Sequence, residues 1–302
     1  METERKNEIR RAIVETIAFF DLFNYPLTSD EIRNYLWKAK ADLDEIEEAL
    51  SGIEEIEKKE RFYFLKGREE IINKREERFG FTSRKLKRAR LIAKIFKIFP
   101  WIKMIAVGNL IGKNNLRDES DIDFFVITEK NRIWITRFFT AALMQVFGLR
   151  PKRGKMRDKI CLSFYIAEDE INLEKFMMGE NDIYFVYWTM GLRRIFGEKG
   201  MSKEFYEANA WIKNYLPNFN FSGKHEEEKS LPGIYHGAID FIFGRSENFL
   251  KNFQLRLLPK EIKENMNKDT RVVINDRVLK LHVNDRRGYY KNEWEKICSR
   301  IK

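Results

Sequence analysis

Apolar positions at helical spacing dominate the first part of the chain. Between Ile9 and Phe20 they recur every three or four residues, which predicts an amphipathic helix. Thr28 followed by Glu31 is a capping-box signature, and Asp42 is a favourable N-cap, so two further helices are expected. Apolar and aromatic residues on either side of a charged turn then predict a β-hairpin. The predicted elements are helices 8–23, 28–39 and 42–53 and strands 56–58 and 61–65.

Three helices followed by a hairpin form the outline of a winged helix-turn-helix, here over residues 1–67. In that interpretation the helix at 42–53 would contact DNA. Its sequence, DLDEIEEALSGI, contains no Lys or Arg, and Glu45, Glu47 and Glu48 would repel a duplex. DNA binding, contact with a protein and plain scaffolding are therefore all left open for this segment.

A long helix is predicted over residues 68–99, with Pro100 ending it. Its second half, from Arg84 to Lys97, contains seven basic residues and no acidic one. Leu86, Ile92 and the apolar residues after them give this helix a face toward a core. The basic face is expected either to guide phosphates or to be an ordinary solvated surface.

After Pro100 the pattern changes to short apolar strands separated by polar or helical segments. This alternation predicts a small mixed α/β sheet with helices packed on it. We assign it to a central domain at 68–175, with the helix at 68–99 leading into it. The predicted elements are strands 101–107, 121–128 and 160–167, a short helix between the first two strands, and a helix at about 131–148.

The rest of the chain, 176–302, is expected to form a mainly helical C-terminal region. Apolar clusters predict helices around 183–195, 205–216 and 234–256. The fold class is therefore α+β: a winged-helix-like segment, a central mixed-sheet domain with flanking helices, and a mainly helical end.

Composition agrees with a globular protein, since 43% of the 302 residues are hydrophobic and 34% are charged. The formal net charge of +10 favours a polyanionic partner, or else a lysine-rich solvated surface. The N-terminus has no apolar core of a signal peptide, and the apolar run 133–149 is short and carries Arg137, so we expect no membrane segment.

The cysteines and histidines exclude several kinds of site. Cys161 and Cys298 are the only two cysteines, so neither a disulfide framework nor a cysteine-based zinc site is expected, and a cytoplasmic location fits. Cys161 lies in an apolar strand and is interpreted as a small core residue. His225, His236 and His282 are scattered without zinc-ligand spacing and are interpreted as surface or packing residues.

Residues 105–128, IAVGNLIGKNNLRDESDIDFFVIT, hold the strongest chemical signal. One apolar strand ends at Gly108-Asn109, and Ser120 precedes Asp121 and Asp123 at the start of the next. Residues two apart in a strand point to the same face, so these two carboxylates project together. Because like charges repel, a cation is expected between them. Mg²⁺ fits, since it takes oxygen ligands and usually binds together with phosphate.

This stretch resembles the signature of the DNA polymerase beta-like nucleotidyltransferase superfamily. The shared pattern is an apolar strand, Gly108-Asn109, a gap, and Ser120-Asp121-Ile122-Asp123 before a second apolar strand. The whole chain also resembles uncharacterised prokaryotic proteins that join a winged-helix segment, here FDLFNYPLTSDEI, to such a domain.

The resemblance implies a specific chemistry. Gly108 and Asn109 would hold the triphosphate of an NTP, Asp121 and Asp123 would bind two Mg²⁺ ions, and Ser120 would help orient the strand's opening. One ion would lower the pKa of an acceptor hydroxyl and the other would balance charge on the leaving pyrophosphate. The N-terminus of the predicted short helix after the turn would also favour an anion.

One expected group is missing from the pattern. Family members generally carry a third carboxylate on the third strand, where this chain reads KICLSFYIAED with Ser163 near that place. Asp158 precedes the strand, and Glu168 and Asp169 follow it. Three alternatives stay open: one of these acids reaches the metals, two acids suffice, or the site is degenerate.

Two functions follow as hypotheses. The first is a Mg²⁺-dependent nucleotidyltransferase that transfers a nucleoside monophosphate from an NTP to a hydroxyl of RNA, protein or a small molecule. The alternative is a catalytically degenerate protein of the same fold that senses nucleotides or regulates through DNA or protein contact by residues 1–67.

Overall fold

The computed structural model describes residues 2–152, 154–220 and 233–301. His225 therefore lies outside the described residues, and the side chain of His236 is likewise not described. The three predicted helices and the hairpin of the N-terminal part are confirmed, as are the capping box at Thr28–Glu31 and the N-cap Asp42, which also forms a capping box with Glu45. The elements are α1 (Glu2–Asp21), α2 (Ser29–Tyr35), α3 (Leu43–Ser51), β1 (Ile56–Lys59) and β2 (Phe62–Leu65).

A long helix, α4 (Ile71–Phe96), connects this N-terminal part to the central sheet. Glu31 of α2 is buried and accepts two hydrogen bonds from Arg75 of α4, at 2.7 and 2.9 Å. Tyr25 Oη donates a third hydrogen bond to the same carboxylate. Because a buried carboxylate is costly without such partners, this cluster fixes α2 against α4.

In the described residues the central sheet has six strands: β3 (Ile102–Val107), β4 (Ile122–Thr128), β5 (Ile160–Ala167), β6 (Arg193–Gly197), β7 (Val272–Ile274) and β8 (Val278–Leu281). They lie in the order β6-β3-β4-β5-β8-β7. Only β4 and β5 run parallel; the other neighbours are antiparallel. The mixed sheet and the α+β class are thus as predicted.

Three of the six strands come from the part of the chain expected to be mainly helical. The helix predicted at 183–195 ends at Met190, and after Gly191 the chain enters β6 beside β3. A side chain at Gly191 would lie 2.6 Å from the Leu110 carbonyl oxygen, so this turn requires glycine. Short apolar runs do not distinguish strand from helix by periodicity, which explains the error.

Helices cover both faces of the sheet. On one face α4 and α5 (Ile133–Val146) bury Ile105, Val107 and Phe124. On the other face the N-terminal helices share a core with α6 (Ile183–Met190), α7 (Met201–Ala208) and α11 (Arg287–Arg300). No helix in the described part of the chain is both long and apolar enough to cross a membrane. The remaining helices are α8 (Gly233–Phe243), α9 (Glu247–Leu257) and α10 (Lys260–Asn265).

The segment between β3 and β4, residues 108–121, contains no helix, so the short helix predicted there is wrong. Its backbone N–H groups instead form hydrogen bonds with side chains from the N-terminal half of the chain. The Lys113 N–H donates to Tyr25 Oη at 3.1 Å, and the Leu116 N–H donates to Thr82 Oγ1 at 2.9 Å. The anion site expected at a helix N-terminus is therefore absent from this segment.

Candidate functional site

The pairing of β3 with β4 places the glycine turn beside the two aspartates. The Gly108 N–H donates to the Asp123 carbonyl oxygen at 2.9 Å. Asp121 and Asp123 flank the fully buried Ile122 and are both half-buried, as expected for alternate residues on one face of a strand. The structure thus brings the four predicted residues of the turn and the strand together at one edge of the sheet.

Asn109 connects the turn to the carboxylates directly. Its backbone has a φ of 58°, in the left-handed region that Asn tolerates better than most residues. Its side-chain Nδ2 donates to Asp123 Oδ2 at 2.5 Å, and its Oδ1 accepts from Tyr184 Oη at 3.2 Å. Asn109 therefore has one amide hydrogen left for a ligand, and it orients one of the two carboxylates.

Gly108 has a packing role that the sequence does not reveal. A Cβ at this position would lie 3.2–3.4 Å from the indole ring of Trp188. Since its N–H already bonds to Asp123, Gly108 lets the turn approach Trp188 and does not itself offer a donor to phosphate.

Ser120 closes the loop before the first aspartate. Its Oγ donates to the Arg117 carbonyl oxygen at 2.9 Å, and its own carbonyl oxygen accepts from Lys85 Nζ at 2.5 Å. Both bonds fix the backbone that leads into Asp121, in keeping with the orienting role expected for this serine.

A cysteine, and not an acid, faces the aspartates from the neighbouring strand. The parallel register pairs Asp123 with Cys161, and ligand atoms of Asp121, Asp123 and Cys161 lie within 4.8 Å of one another. Cys161 was interpreted as a core residue; it is half-buried and belongs to the site. The signal that could have found it is alternation along β5, which places Cys161 and Ser163 on one face.

Asp158 does not complete the cluster. Its Oδ1 accepts from Lys85 Nζ at 2.9 Å, and its Oδ2 lies 3.2 Å from Arg84 Nε. Lys85 is fully buried, so Asp158 serves as the counter-ion of a buried ammonium group.

Glu168 and Asp169 lie at the far end of β5. The strand pairs Ala167 with Thr128, whereas the site lies where Ile160 pairs with Ile122. Asp169 forms an ion pair with Lys130 at 3.1 Å. Among the described residues, the group that could hold a metal here contains two carboxylates and one thiol.

Burial and mutual repulsion hold protons on this group. They raise the pKa of Asp121 to about 7, burial first and the nearby Asp123 charge second. Burial also raises the pKa of Asp123, although hydrogen bonds from Asn109 and Cys161 oppose the shift. The pKa of the Cys161 thiol lies well above its ordinary value because of burial and both aspartates. A bound cation would therefore stabilise the ionised forms of these groups electrostatically.

The aspartates open into a cleft of about 440 Å³. Arg78 and Arg117 also line it, and burial together with the charge of Arg117 lowers the pKa of Arg78. In the part of the chain that the structure describes, neither arginine has a carboxylate within ion-pair distance. The cleft therefore combines three acidic side chains, Glu119, Asp121 and Asp123, with two uncompensated guanidinium groups, which suit phosphate oxygens.

The predicted basic face of α4 is divided. Lys85 is buried and Arg84 pairs with Asp118, whereas Lys87, Arg90 and Lys94 are exposed. The last three have no ion-pair partner among residues 2–152, 154–220 and 233–301. Both the phosphate-guiding and the solvated interpretations stay as predictions for these three.

Two of the acidic residues of α3 form ion pairs with α1. Glu45 lies 3.4 Å from Arg5, and Glu48 lies 2.8 Å from Lys6. These pairs favour the scaffolding interpretation of the winged-helix-like segment, while DNA contact stays an untested prediction.

Comparison of the chain with protein-family models, with curated proteins and with solved structures finds no match. The resemblance to the nucleotidyltransferase superfamily therefore rests on the residues and the strand arrangement described above.

Proposed function

We propose that this protein is a divalent-cation-dependent nucleotidyltransferase that moves a nucleoside monophosphate from an NTP to an acceptor hydroxyl. The observation that carries the proposal is the same-face pair Asp121 and Asp123, at the start of β4 and against the Gly108-Asn109 turn. The order of the strands β3, β4 and β5 along the chain agrees with the resemblance, although residues 108–121 lack the short helix expected between the first two.

The donor set fits Mg²⁺. This ion commonly binds through one or two carboxylates and completes its coordination with waters and substrate phosphates. Asp121 and Asp123 would supply the carboxylates; burial and the charge of Asp123 raise the pKa of Asp121, so a bound cation would stabilise the ionised pair. When bound, Mg²⁺ would neutralise developing charge on the phosphoryl oxygens and lower the pKa of the acceptor hydroxyl.

The chain's other residues would position the substrate. Arg78, Arg117 and the free amide hydrogen of Asn109 would bind the triphosphate in the 440 Å³ cleft. The acceptor oxygen would form a bond to the α-phosphorus, the bond from that phosphorus to the bridging oxygen would break, and pyrophosphate would leave. The hydroxyl proton would be released to solvent.

Replacing Asp123 with asparagine is expected to weaken binding of NTPs in the presence of Mg²⁺ by about 100-fold or more, or ~2.7 kcal/mol. The change removes one carboxylate and keeps the side chain's size. Calorimetric titration of ATP, GTP, CTP and UTP, each with Mg²⁺ and with EDTA, measures it. Asp169→Asn, at the other end of β5, is the matched control. Equal binding in EDTA, or unchanged binding by Asp123→Asn, would contradict the proposal.

A second candidate is a protein that binds the cation–nucleotide complex without transferring it. The resemblance implies a third acid on β5, near Ser163, whereas the residue of this strand that faces the aspartates is Cys161; this observation favours the candidate. The two candidates are distinguished by measuring pyrophosphate release from NTP in the presence of RNA, protein and small hydroxyl acceptors. If the wild type binds NTP and releases none, while Cys161→Asp releases pyrophosphate, the native site is a sensor.

A further inference from the structure

A second cavity, of about 220 Å³, adjoins the carboxylate cleft. The two share Asn109, Arg117, Tyr184 and Tyr290 as lining residues. A volume several times the ~30 Å³ of one liquid water can hold a small ring system. A ligand in this cavity would therefore lie next to one in the cleft.

Five aromatic side chains contribute to the lining of this cavity: Phe164, Tyr184, Phe185, Trp188 and Tyr290. Trp188 stacks with Phe164 and with Phe185, with ring centroids 5.7 and 5.6 Å away and interplanar angles of 18° and 11°. At the shared wall, Tyr184 and Tyr290 stack at 5.2 Å and 6°. Such walls suit a planar, partly apolar ligand.

His282 lines the cavity and contains an unsatisfied polar atom. Its Nε2 lies 3.0 Å from Ser163 Oγ, whereas its buried Nδ1 has no hydrogen-bond partner among the described residues. Burial, and to a smaller extent Lys280, lower the pKa of this imidazole to about 3, so the ring is neutral. Whichever nitrogen carries the proton, Nδ1 offers a hydrogen bond that the protein does not use.

Two of the four cationic side chains that line this cavity are compensated. Arg287 pairs with Asp285 at 2.8 Å and with Asp182 at 2.9 Å. Lys280 donates to the Thr270 carbonyl oxygen and lies 3.6 Å from Asp285. The other two, Arg286 and the shared Arg117, have no carboxylate within ion-pair distance among the described residues. Asp121 and Asp123 line the cleft and not the cavity, so the cation and the phosphates bound to it are expected in the cleft, and the rest of the nucleotide in the cavity.

We propose that the cavity holds the nucleobase of the donor NTP, packed against the aromatic walls, with His282 Nδ1 forming a hydrogen bond to the edge of the base. The inference rests on the proposed function, because the triphosphate must lie in the adjoining cleft. His282 acts here as a specificity residue and has no part in the chemical step.

Calorimetric titrations of the full chain with Mg²⁺ compare inorganic tripolyphosphate with ATP, GTP, CTP and UTP. In the wild type, at least one NTP is expected to bind about tenfold or more tighter than tripolyphosphate, because only the NTP fills the cavity. His282→Ala is expected to weaken the binding of that NTP by about 10- to 100-fold and to leave the affinity for tripolyphosphate unchanged. His282→Asn, which can place an amide near the position of Nδ1, should restore part of the affinity.

The outcomes separate the two proposals. If all four NTPs bind the wild type no tighter than tripolyphosphate, or if His282→Ala weakens both classes equally, the base site is wrong and the phosphate site stands. If neither tripolyphosphate nor any NTP binds, the proposed function fails, and the base site fails with it. The wild-type comparison needs no variant, so it decides the matter even if His282→Ala does not fold.

Discussion

Replacing Asp158 with alanine is expected to lower the free energy of unfolding by about 3 kcal/mol and to weaken cation binding by Asp121 and Asp123. Lys85 is fully buried, and its Nζ bonds to Asp158 Oδ1 and to the Ser120 carbonyl oxygen. Without Asp158 a buried ammonium group loses its counter-ion. The estimate is at the lower end for a broken buried pair because Asp158 is itself partly exposed.

The ion pair between Lys85 and Asp158 also affects the carboxylate site, because it fixes the loop before β4. The Asp158 N–H donates to the Ser120 carbonyl oxygen at 3.2 Å, so Asp158 and Lys85 both hold the residue next to Asp121. Relaxation around an unpaired Lys85 would move the first carboxylate relative to the second. A loss of cation affinity should therefore accompany the loss of stability.

Urea unfolding followed by circular dichroism measures the stability change. Asp118→Ala is the matched control, since Asp118 is about as exposed as Asp158 but pairs with the exposed Arg84 and Arg157 and not with Lys85. It should change stability little. The double variant Lys85→Met with Asp158→Leu should recover much of the lost stability, because it removes both charges. If Asp158→Ala were as stable as Asp118→Ala, Lys85 would not depend on this carboxylate.

Replacing Asp121 with asparagine is expected to stabilise the protein at pH 8 without divalent cations, by about 2–4 kcal/mol. The pKa of Asp121 is raised from 3.8 to about 7 in the folded protein. Between these values the folded state binds more protons than the unfolded state, so stability falls as pH rises. Above pH 7 the wild type bears the full cost of the ionised pair, and the variant does not.

In the presence of divalent cations, the wild type is expected to become more stable than Asp121→Asn. The wild type should gain stability with increasing Mg²⁺, by RT ln(1 + [Mg²⁺]/Kd), while Asp121→Asn should gain much less. Because protons compete with the cation for Asp121, the gain in the wild type should be larger at pH 8 than at pH 6.

Thermal melting from pH 5 to 8, in EDTA and in Mg²⁺, tests both expectations. Asp169→Asn provides the control, since this acid pairs with Lys130 away from the site. Two results would contradict the account. The first is that Asp121→Asn is no more stable than the wild type at pH 8 in EDTA; the second is that Mg²⁺ does not change the melting temperature of the wild type at any pH.

Local signals in the sequence predicted the N-terminal elements and the three central strands well. The capping pairs Thr28–Glu31 and Asp42–Glu45 act over one helical turn, so the residue types alone determine them. The same holds for Asp121 and Asp123, because the pleat of a single strand puts alternate residues on one face.

Features that depend on pairing between distant segments were missed. Strands β7 and β8 have three and four residues and become strands only beside β5. The place of Cys161 depends on the parallel register with Asp123, and the place of His282 depends on β8 reaching Ser163. The helix expected after Gly108 failed because Tyr25 and Thr82, far earlier in the chain, bind its backbone groups.

The central claim is that Asp121 and Asp123 together bind a divalent cation that carries the triphosphate of a nucleotide. The direct measurement is anomalous diffraction from crystals grown with Mn²⁺, which accepts the same oxygen ligands, and a non-hydrolysable NTP analogue. The account predicts an anomalous peak coordinated by both carboxylates, with the triphosphate between it and Arg78 and Arg117. A nucleotide bound elsewhere, or a peak absent from this pair while the nucleotide is bound, would contradict it.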